Sequence, residues 1–257
     1  MRSYIAERNR IIDIIEKNDL SIRFQPVFRK DRSVFGYEAL SGLKDNRDFP
    51  DIPALFRKAS ETDMIASLDF LCRENAVREA SLSNITGQGA NLFLNICPES
   101  ICSPSHRSGL TDEIAERWGI PKERIILEIT EESAIKNYEL FKGTLSYYRD
   151  KGYKIAIDDF GVGYGGLKML SIIRPDFIKV DRHFISMIDR ESVNFAVVDS
   201  IVILCRRLNI DVVAEGIERE EELAASERLG IELFQGFHFG LDHKGTRAPA
   251  PAVKPLD

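Results

Sequence analysis

Two adjacent aspartates, Asp158 and Asp159, stand between an apolar run and a glycine-rich turn in the segment KIAIDDFGVGYGGL, residues 154–167. The chain already carries a formal net charge of −6, so neighbouring carboxylates at such a junction call for a counter-charge. Hard divalent cations such as Mg²⁺ and Mn²⁺ are natural partners of carboxylate oxygens, and one aspartate can bridge two ions while its neighbour caps one of them. Two ions about 3.5–4 Å apart suit phosphodiester hydrolysis, because they activate a water and stabilise the leaving oxygen.

Further polar residues stand at the ends of the apolar, β-branched runs. A single carboxylate at such a position is more often a helix N-cap or part of a surface ion pair than a metal ligand. Where several converge, like charges raise one another's pKa values and destabilise the fold unless cations neutralise them. The residues at these positions are Glu38, Asn95, Glu128, Asp158 with Asp159, Lys179 with Asp181, Glu215 and Gln235.

Eight apolar runs alternate with segments whose apolar residues recur at the three- and four-residue spacing of helices. This alternation predicts an α/β fold, a TIM-like (β/α)8 barrel, in which functional residues collect at the carboxyl ends of the strands. Only about four residues, KDRS at 30–33, separate the first two runs, which suits a hairpin, so strand one is predicted to run antiparallel to strand two. The runs span residues 22–28, 34–40, 90–96, 124–130, 154–160, 176–181, 211–217 and 231–239.

The length of 257 residues is usual for one barrel domain, which we predict to span residues 1–246. It includes an extra N-terminal helix at 1–20, and residues 247–257 form a Pro/Ala-rich tail or linker. No apolar run approaches the roughly 20 residues that a membrane helix needs. The first ten residues are too charged for a secretory signal. We therefore expect a cytoplasmic chain without a membrane segment.

Composition also narrows the kinds of site. The four cysteines form no CxxC pair, so buried free thiols are expected in preference to zinc ligation or disulfides. The acidic balance, with no basic stripe, argues against a DNA or RNA polymer as partner. A small phosphorylated ligand remains compatible with the composition.

The polar segments form an ordered set of seven motifs. In chain order they read YEAL (37–40), LNICPESI (94–101), LEITEES (127–133), IDDFGVGYGGL (157–167), PDFIKVDRHFI (175–185), VVAEGIE (212–218) and FQGFHFG (234–240). Together they resemble the signature segments of the EAL-domain cyclic di-GMP phosphodiesterases over about residues 20–241. The three letters EAL recur by chance, whereas the ordered set is very specific. The resemblance implies metal-dependent hydrolysis of cyclic di-GMP to linear pGpG in bacterial second-messenger signalling.

The resemblance implies a site with two ions, Mg²⁺ or Mn²⁺. Glu38 and Glu215 are expected to take part in the chemistry as well as in the metal and water cluster. Ca²⁺ is expected to inhibit, because it prefers longer bonds and more ligands. The implied ligands are Glu38, Asn95, Glu128 and Asp158 for one ion and Asp158 with Asp159 for the second, with Glu215 in the same cluster.

The same resemblance implies catalytic and substrate contacts beyond the metal ligands. Lys179 matches a lysine near the attacking water, which it orients or helps to activate, and Gln235 matches a glutamine near the substrate and the water network. Asp181 either orients Lys179 or contacts the site through water. The expected substrate-binding residues are Gln25 of the FQP segment, Leu40, Asp181 and Gln235.

Two glutamates near the motifs have structural interpretations. Glu131 either caps a helix starting near Ser133 or, by resemblance, anchors the loop at residues 160–166, which couples the active site to the dimer interface in this family. The glycines of that loop would allow it to switch. Glu218 is interpreted as the cap of a helix that begins near Arg219.

Departures from the family pattern keep other readings open. Gly42 stands where the family places an arginine that contacts substrate phosphate, and losing such a contact costs on the order of 1.5–3 kcal/mol of binding. The switch loop reads GVGYGG, where the family prefers serines near the end. The alternatives are a receptor module that binds cyclic di-GMP without hydrolysing it and a two-metal hydrolase of another phosphate ester. A homodimer and further regulatory domains in the parent protein are implied by the resemblance alone.

Overall fold

Eight strands close into a barrel in chain order. The computed structural model describes residues 2–45, 48–103, 109–131, 137–163 and 165–239. Strand β1 is antiparallel to both of its neighbours, β2 and β8, and every other neighbouring pair is parallel, so the predicted barrel with one reversed strand is confirmed. The strands are β1 (Leu20–Arg29), β2 (Val34–Leu43), β3 (Asn91–Asn95), β4 (Ile125–Thr130), β5 (Lys154–Phe160), β6 (Phe177–Val180), β7 (Asp211–Ala214) and β8 (Leu233–Phe234).

Helices cover the outside of the barrel. The extra N-terminal helix α1 packs against α2 and α3, where Ile11, Ile14, Leu55 and Leu68 form a small core of their own. The predicted tail at 247–257 lies outside the described residues and stays a prediction. The helices of the described residues are α1 (Arg2–Lys17), α2 (Ile52–Glu61), α3 (Ile65–Leu82), α4 (Pro98–Ile101), α5 (Leu110–Arg117), α6 (Tyr138–Asp150), α7 (Gly166–Ile173), α8 (Arg182–Ile185), α9 (Ser192–Leu208) and α10 (Glu220–Arg228).

An apolar layer fills the lower half of the barrel. Phe35, Phe93 and Phe177 meet there with ring centroids 5.6–6.1 Å apart. Strand side chains alternate between the two faces, so residues two positions further along the parallel strands again face inward. These next residues are polar, and they face the carboxyl ends of the parallel strands, here called the mouth. The rest of the apolar layer is Val27, Ile126, Ala156, Val213 and Leu233.

The β1–β2 ribbon is longer than the other strands, with ten residues in each strand. Because β1 runs in the opposite direction, its inward residues approach the mouth in reverse order along the chain. The register pairs Gln25 with Glu38, Arg23 with Leu40 and Ser21 with Gly42. Gly36, also on β2, has to be glycine because a Cβ there would lie 2.8 Å from the Asn91 carbonyl oxygen.

Strand β8 is much shorter than the predicted run at 231–239. Its chain turns at Gly236, where a Cβ would lie 2.2 Å from the Ile217 carbonyl oxygen, and a short 3-10 turn follows at Phe237–Phe239. Among the described residues, no helix has the length and apolar character needed to cross a membrane. The four cysteines are free thiols, but only Cys72 and Cys205 are buried as predicted, whereas Cys97 and Cys102 are half-buried. Burial raises the pKa of Cys72 and of Cys205 to about 12.

Candidate active site

Lys179 lies at the centre of the mouth, surrounded by carboxylates. Its side chain is buried, at 1% exposure. The Nζ atom is 2.7 Å from Glu215 Oε1 and 2.9 Å from an oxygen of each of Glu38, Glu128 and Asp158. The neighbouring Asp159 brings the number of acidic groups to five, and we call Glu38, Glu128, Asp158, Asp159 and Glu215 the carboxylate cluster. The structure thus brings together side chains that are 177 residues apart at the extremes of the cluster, from Glu38 to Glu215.

Some carboxylate oxygens of the cluster lack a hydrogen-bond donor among the described residues. An ammonium has three N–H donors, and Lys179 has four carboxylates within contact distance. The bond from Lys179 Nζ to Glu38 Oε2 is well directed. Both carboxylate oxygens of Glu128 and Oδ1 of Asp158 are buried and accept no well-directed hydrogen bond within the described part of the chain. Buried acceptors of this kind call for a further partner.

The pKa values reflect crowding of like charges in a buried space. Burial, followed by the charge of Glu38, raises the pKa of Glu128 well above its usual value. Burial also raises the pKa of Glu215 and of Asp158, against the opposing effect of Lys179. Burial, followed by the charge of Asp158, raises the pKa of Asp159 to about 6. Burial acts in the same direction on Glu38. Its contacts with Lys179, Gln235 and Asn95 outweigh burial, however, and lower its pKa.

The cluster fits a pair of hard divalent cations. Ligand oxygens of Glu38, Glu128 and Asp158 lie within 4.8 Å of one another, and so do those of Asp158, Asp159 and Glu215. Asp158 belongs to both sets, which is the position that a carboxylate bridging two ions would need. With all five carboxylates ionised and Lys179 protonated, the formal excess is four negative charges, which two divalent cations would cancel. An all-oxygen donor set is the one that Mg²⁺ and Mn²⁺ prefer.

The backbone at Asp159 explains how two successive residues can face the same site. Strand alternation would send neighbouring side chains to opposite faces. Asp159 has φ +52°, in the left-handed region, and the β5–β6 register shifts between Ile157 and Phe160. Irregularities of this kind re-aim side chains, and aspartate tolerates the left-handed conformation better than most residues. The turn therefore brings the Asp159 carboxylate within reach of Asp158 and Glu215.

The predicted amides flank Glu38. Gln235 Nε2 donates a 2.7 Å hydrogen bond to Glu38 Oε2, while Gln235 Oε1 is buried without a hydrogen-bond partner among the described residues. Asn95 Nδ2 lies 3.4 Å from Glu38 Oε1, which leaves its carbonyl oxygen as the atom suited to a cation. Gln25 is the cross-strand partner of Glu38, and Leu40 is exposed one layer above them.

Glu131 is hydrogen-bonded to the loop that follows β5. Its Oε2 accepts a 2.6 Å hydrogen bond from the Gly161 amide, and its Oε1 accepts one of 3.2 Å from the Gly165 amide. The helix after β4 is α6, and it is capped by Asn137, whose side chain accepts from the Leu140 amide. The region around Ser133, where the alternative reading placed a helix start, lies outside the described residues.

Asp181 and Glu218, two acidic residues near the site, make contacts that differ from those expected from the sequence. Asp181 caps α8 by accepting a 2.7 Å hydrogen bond from the His183 amide. The prediction that Glu218 caps the following helix is wrong. Glu218 pairs instead with Arg182 at 2.8 Å, and Glu222 Oε2 accepts from the amides of Glu218 and Arg219. Both glutamates stand at plausible capping positions, and the sequence gives no signal that separates them.

A buried ion pair behind β3 was not predicted from the sequence. Asp69 and Arg73 of α3 are both 2% exposed and lie 2.8 Å apart. The Asp69 carboxylate also accepts hydrogen bonds from the Cys97 amide, at 3.1 Å, and from the Ser100 hydroxyl, at 2.8 Å. Asp69 therefore fixes the turn that directly follows Asn95. An acidic and a basic residue four positions apart usually form a surface pair, which hides such a role.

The amino-acid sequence was compared with family models and with curated proteins, and both comparisons find EAL-domain proteins. The family model for the EAL domain matches residues 8–242. The chain is 29% identical over 241 residues to the cyclic di-GMP phosphodiesterase PdeF of Escherichia coli K12, covering 93% of this chain and 32% of that protein. It spans about a third of the length of the first curated relatives that it matches.

Solved structures of EAL proteins have the same fold. The EAL enzyme Bd1971 with cAMP and cyclic di-GMP bound has a TM-score of 0.80 and 26% identity, covering 93% of this chain and 66% of that one. The manganese and cyclic di-GMP complex of Klebsiella pneumoniae BlrP1 has a TM-score of 0.74 and 28% identity, covering 86% and 55%, and a calcium complex of BlrP1 is also similar. With the family model matched along almost the whole chain and the barrel shared with these enzymes, this chain belongs to the EAL-domain family.

Proposed function

We propose that this chain is the phosphodiesterase domain of a bacterial signalling protein and that it hydrolyses cyclic di-GMP to linear pGpG with Mg²⁺ or Mn²⁺ as cofactor. The observation that carries the proposal is the carboxylate cluster around Lys179, because its two overlapping ligand sets suit two-ion chemistry at a phosphodiester. The named phosphodiesterase relative and the cyclic di-GMP complexes of similar structures support this substrate.

The ligand sets follow from the contacts described above. In this proposal Glu38, Asn95, Glu128 and Asp158 hold one ion, and Asp158, Asp159 and Glu215 hold the other. When bound, the ions would lower the pKa of an attacking water and offset negative charge on the phosphodiester. The formal charge of the cluster supports two ions in preference to one, since a single divalent cation would leave half of the excess charge uncompensated.

The remaining polar groups orient the reactants. Lys179 supplies a fixed positive charge beneath the cluster, and its hydrogen bond to Glu38 holds that carboxylate in one rotamer. Gln235 holds the same oxygen of Glu38 through Nε2, and its free Oε1 is suited to accept a hydrogen bond from a water or a substrate hydroxyl. Groups prepositioned in a buried site stabilise developing charge without reorganising during the reaction.

The test is chromatographic detection of pGpG after incubation of cyclic di-GMP with the purified protein and Mg²⁺ or Mn²⁺. Glu38→Gln should lower turnover by at least about a hundredfold, and circular dichroism should show that it stays folded. The matched control is Glu139→Gln, because Glu139 is exposed on α6 and should leave turnover unchanged. Turnover retained by Glu38→Gln would contradict the assignment. Binding of cyclic di-GMP without product would favour the receptor alternative.

The proposal also covers the oligomeric state, the cellular location and the domain composition of the parent protein. A homodimer, a cytoplasmic location and further regulatory domains in the parent protein fit a signalling phosphodiesterase. The curated relatives support the additional domains, because they are about three times the length of the matched region.

A further inference from the structure

Arg23 lies on the wall of the mouth formed by the β1–β2 ribbon. It pairs with Leu40, one layer above the pair of Gln25 and Glu38. Side chains of directly paired antiparallel residues share a face, and so do residues two apart along a strand. Val27 of the apolar layer is four residues from Arg23 on the same strand, which puts the arginine on the inward face, beyond the rim of the cluster. The residue is exposed there, whereas Glu38 below it is buried.

The net charge of the mouth favours a positively charged side chain at the level of Arg23, above the carboxylate cluster. Two divalent cations would only cancel the formal charge of the carboxylate cluster and Lys179, whereas cyclic di-GMP brings two negative phosphodiesters. Positive charge beyond the metal layer would therefore favour binding of the dianion. Arginine suits such a position, because its planar fork of N–H donors matches phosphate oxygens and keeps its charge at any working pH.

The residue diagonally across from Arg23 has no side chain of its own that would compete with the guanidinium. Gly42 is the next inward position on β2 and carries no side chain. A Cβ at Gly42 would lie 2.9 Å from Ser21 Oγ, so Ser21 and Gly42 form a close pair at the end of the ribbon. Diagonal cross-strand neighbours are about 7–8 Å apart, within the reach of a long side chain. The guanidinium can therefore cover the surface above Gly42 as well as that beside Leu40.

We propose that Arg23 is a substrate-binding residue whose guanidinium contacts a phosphate of the dinucleotide from β1, on the side of the mouth where β2 presents Gly42. The inference rests on the proposed function, because the ligand is the substrate of that same site. Arg23 acts on substrate binding, since it lies a layer above the groups that carry the chemistry. Its loss should therefore appear in KM and leave kcat nearly unchanged.

The experiment compares steady-state kinetics of cyclic di-GMP hydrolysis for the wild type, Arg23→Ala, Arg23→Lys and Arg207→Ala. Arg207 is exposed near the end of α9, so its removal gives the same change in net charge away from the mouth. Loss of a charge-assisted phosphate contact should raise KM of Arg23→Ala by about 10- to 100-fold, with kcat within about threefold. Arg23→Lys should recover part of the loss, and Arg207→Ala should match the wild type. Increasing salt should raise KM more steeply for the wild type than for Arg23→Ala.

The outcomes separate this inference from the proposed function. If the wild type turns over and KM of Arg23→Ala stays within twofold, or if kcat alone falls, the role of Arg23 is refuted while the phosphodiesterase assignment stands. If the wild type binds cyclic di-GMP without turnover, the same variants are compared by equilibrium dialysis in Ca²⁺, and the expected weakening is the same. If the wild type neither hydrolyses nor binds cyclic di-GMP, both the proposed function and the role of Arg23 are refuted.

Discussion

The Gly161 amide donates a 2.6 Å hydrogen bond to Oε2 of Glu131 and thereby ties the loop after β5 to the end of β4. The backbone amide of Glu131 in turn donates to the carbonyl oxygen of Asp158 at 3.0 Å. One residue thus contacts both the strand that carries the aspartate pair and the loop that leaves it. A Cβ at Gly163 would lie 3.0 Å from Cδ of Glu131, so any side chain at this position would press on Glu131.

Glu131→Gln should lower turnover although Glu131 is not among the proposed metal ligands. Two amide donors, of Gly161 and Gly165, face the two carboxylate oxygens, and glutamine offers an acceptor to only one of them. Small displacements of a reacting group can cost about a hundredfold in rate. We expect kcat to fall by about 10- to 100-fold and KM to change by less than threefold, measured beside Glu139→Gln. An unchanged kcat would show that this anchor does not affect the reaction.

Lys179→Met should destabilise the protein when divalent cations are removed. Glu38, Glu128, Asp158 and Glu215 would lose the positive charge that they share. Removing one partner of a buried ion pair costs about 3–5 kcal/mol, and urea unfolding in EDTA should show a loss of this size. Saturating Mn²⁺ should recover part of it. Lys142→Met, an exposed change on α6, is the control. Equal unfolding free energies in EDTA for Lys179→Met and the wild type would contradict the charge argument.

Substitutions of Asp159 can separate its backbone conformation from its carboxylate. Asp159 has φ +52°, which glycine adopts freely and alanine does not. Asp159→Gly and Asp159→Ala both remove the proposed ligand, so both should lose turnover. Asp159→Gly should be more stable than Asp159→Ala by about 1 kcal/mol, measured by urea unfolding in EDTA. The reverse order of stability would mean that the left-handed conformation is not maintained in solution.

Calcium should support binding of cyclic di-GMP better than its hydrolysis. Ca²⁺ prefers longer bonds and more ligands than Mg²⁺, which disturbs the spacing that two-ion chemistry requires. The rate of pGpG formation should be at least about tenfold lower in Ca²⁺ than in Mg²⁺, and added Ca²⁺ should inhibit the Mg²⁺-dependent reaction. Equal rates in the two ions would refute this prediction. A parallel measurement of cyclic di-GMP affinity in each ion separates weak binding from slow chemistry.

The positions of the strand ends could be predicted from the sequence because the apolar runs and their alternation fix them. Asn95, Glu128 and Glu215 stand near the ends of such runs, and the structure brings them to one mouth. The close approach at Gly236 could not be predicted, and the apolar residues beyond it extended the predicted last strand by several positions. The left-handed turn at Asp159 was equally hidden, since aspartate occurs in both extended and left-handed backbone.

Contacts that depend on helix packing lay beyond sequence reasoning. Asp69 and Arg73 have the spacing of a surface ion pair, and their burial depends on how α3 packs on α4 and α5. Glu222, and not Glu218, accepts hydrogen bonds at the start of α10, and the Met187 amide, from a segment distant in sequence, also donates to Glu222.

The position of Arg23 could not be predicted from the sequence either, because its place on the inward face follows from the register of β1 with β2.

The aromatic layer of Phe35, Phe93 and Phe177 restricts the direction from which a ligand can enter or leave the site. It closes the barrel directly beneath the carboxylate cluster, and Phe93 and Phe177 are almost fully buried. Under the proposed function, the substrate, its cations and the linear product would therefore enter and leave from the mouth side of the barrel. Under the same proposal, product would have to leave before the next substrate enters, so contacts at the rim would affect product release as well as substrate capture.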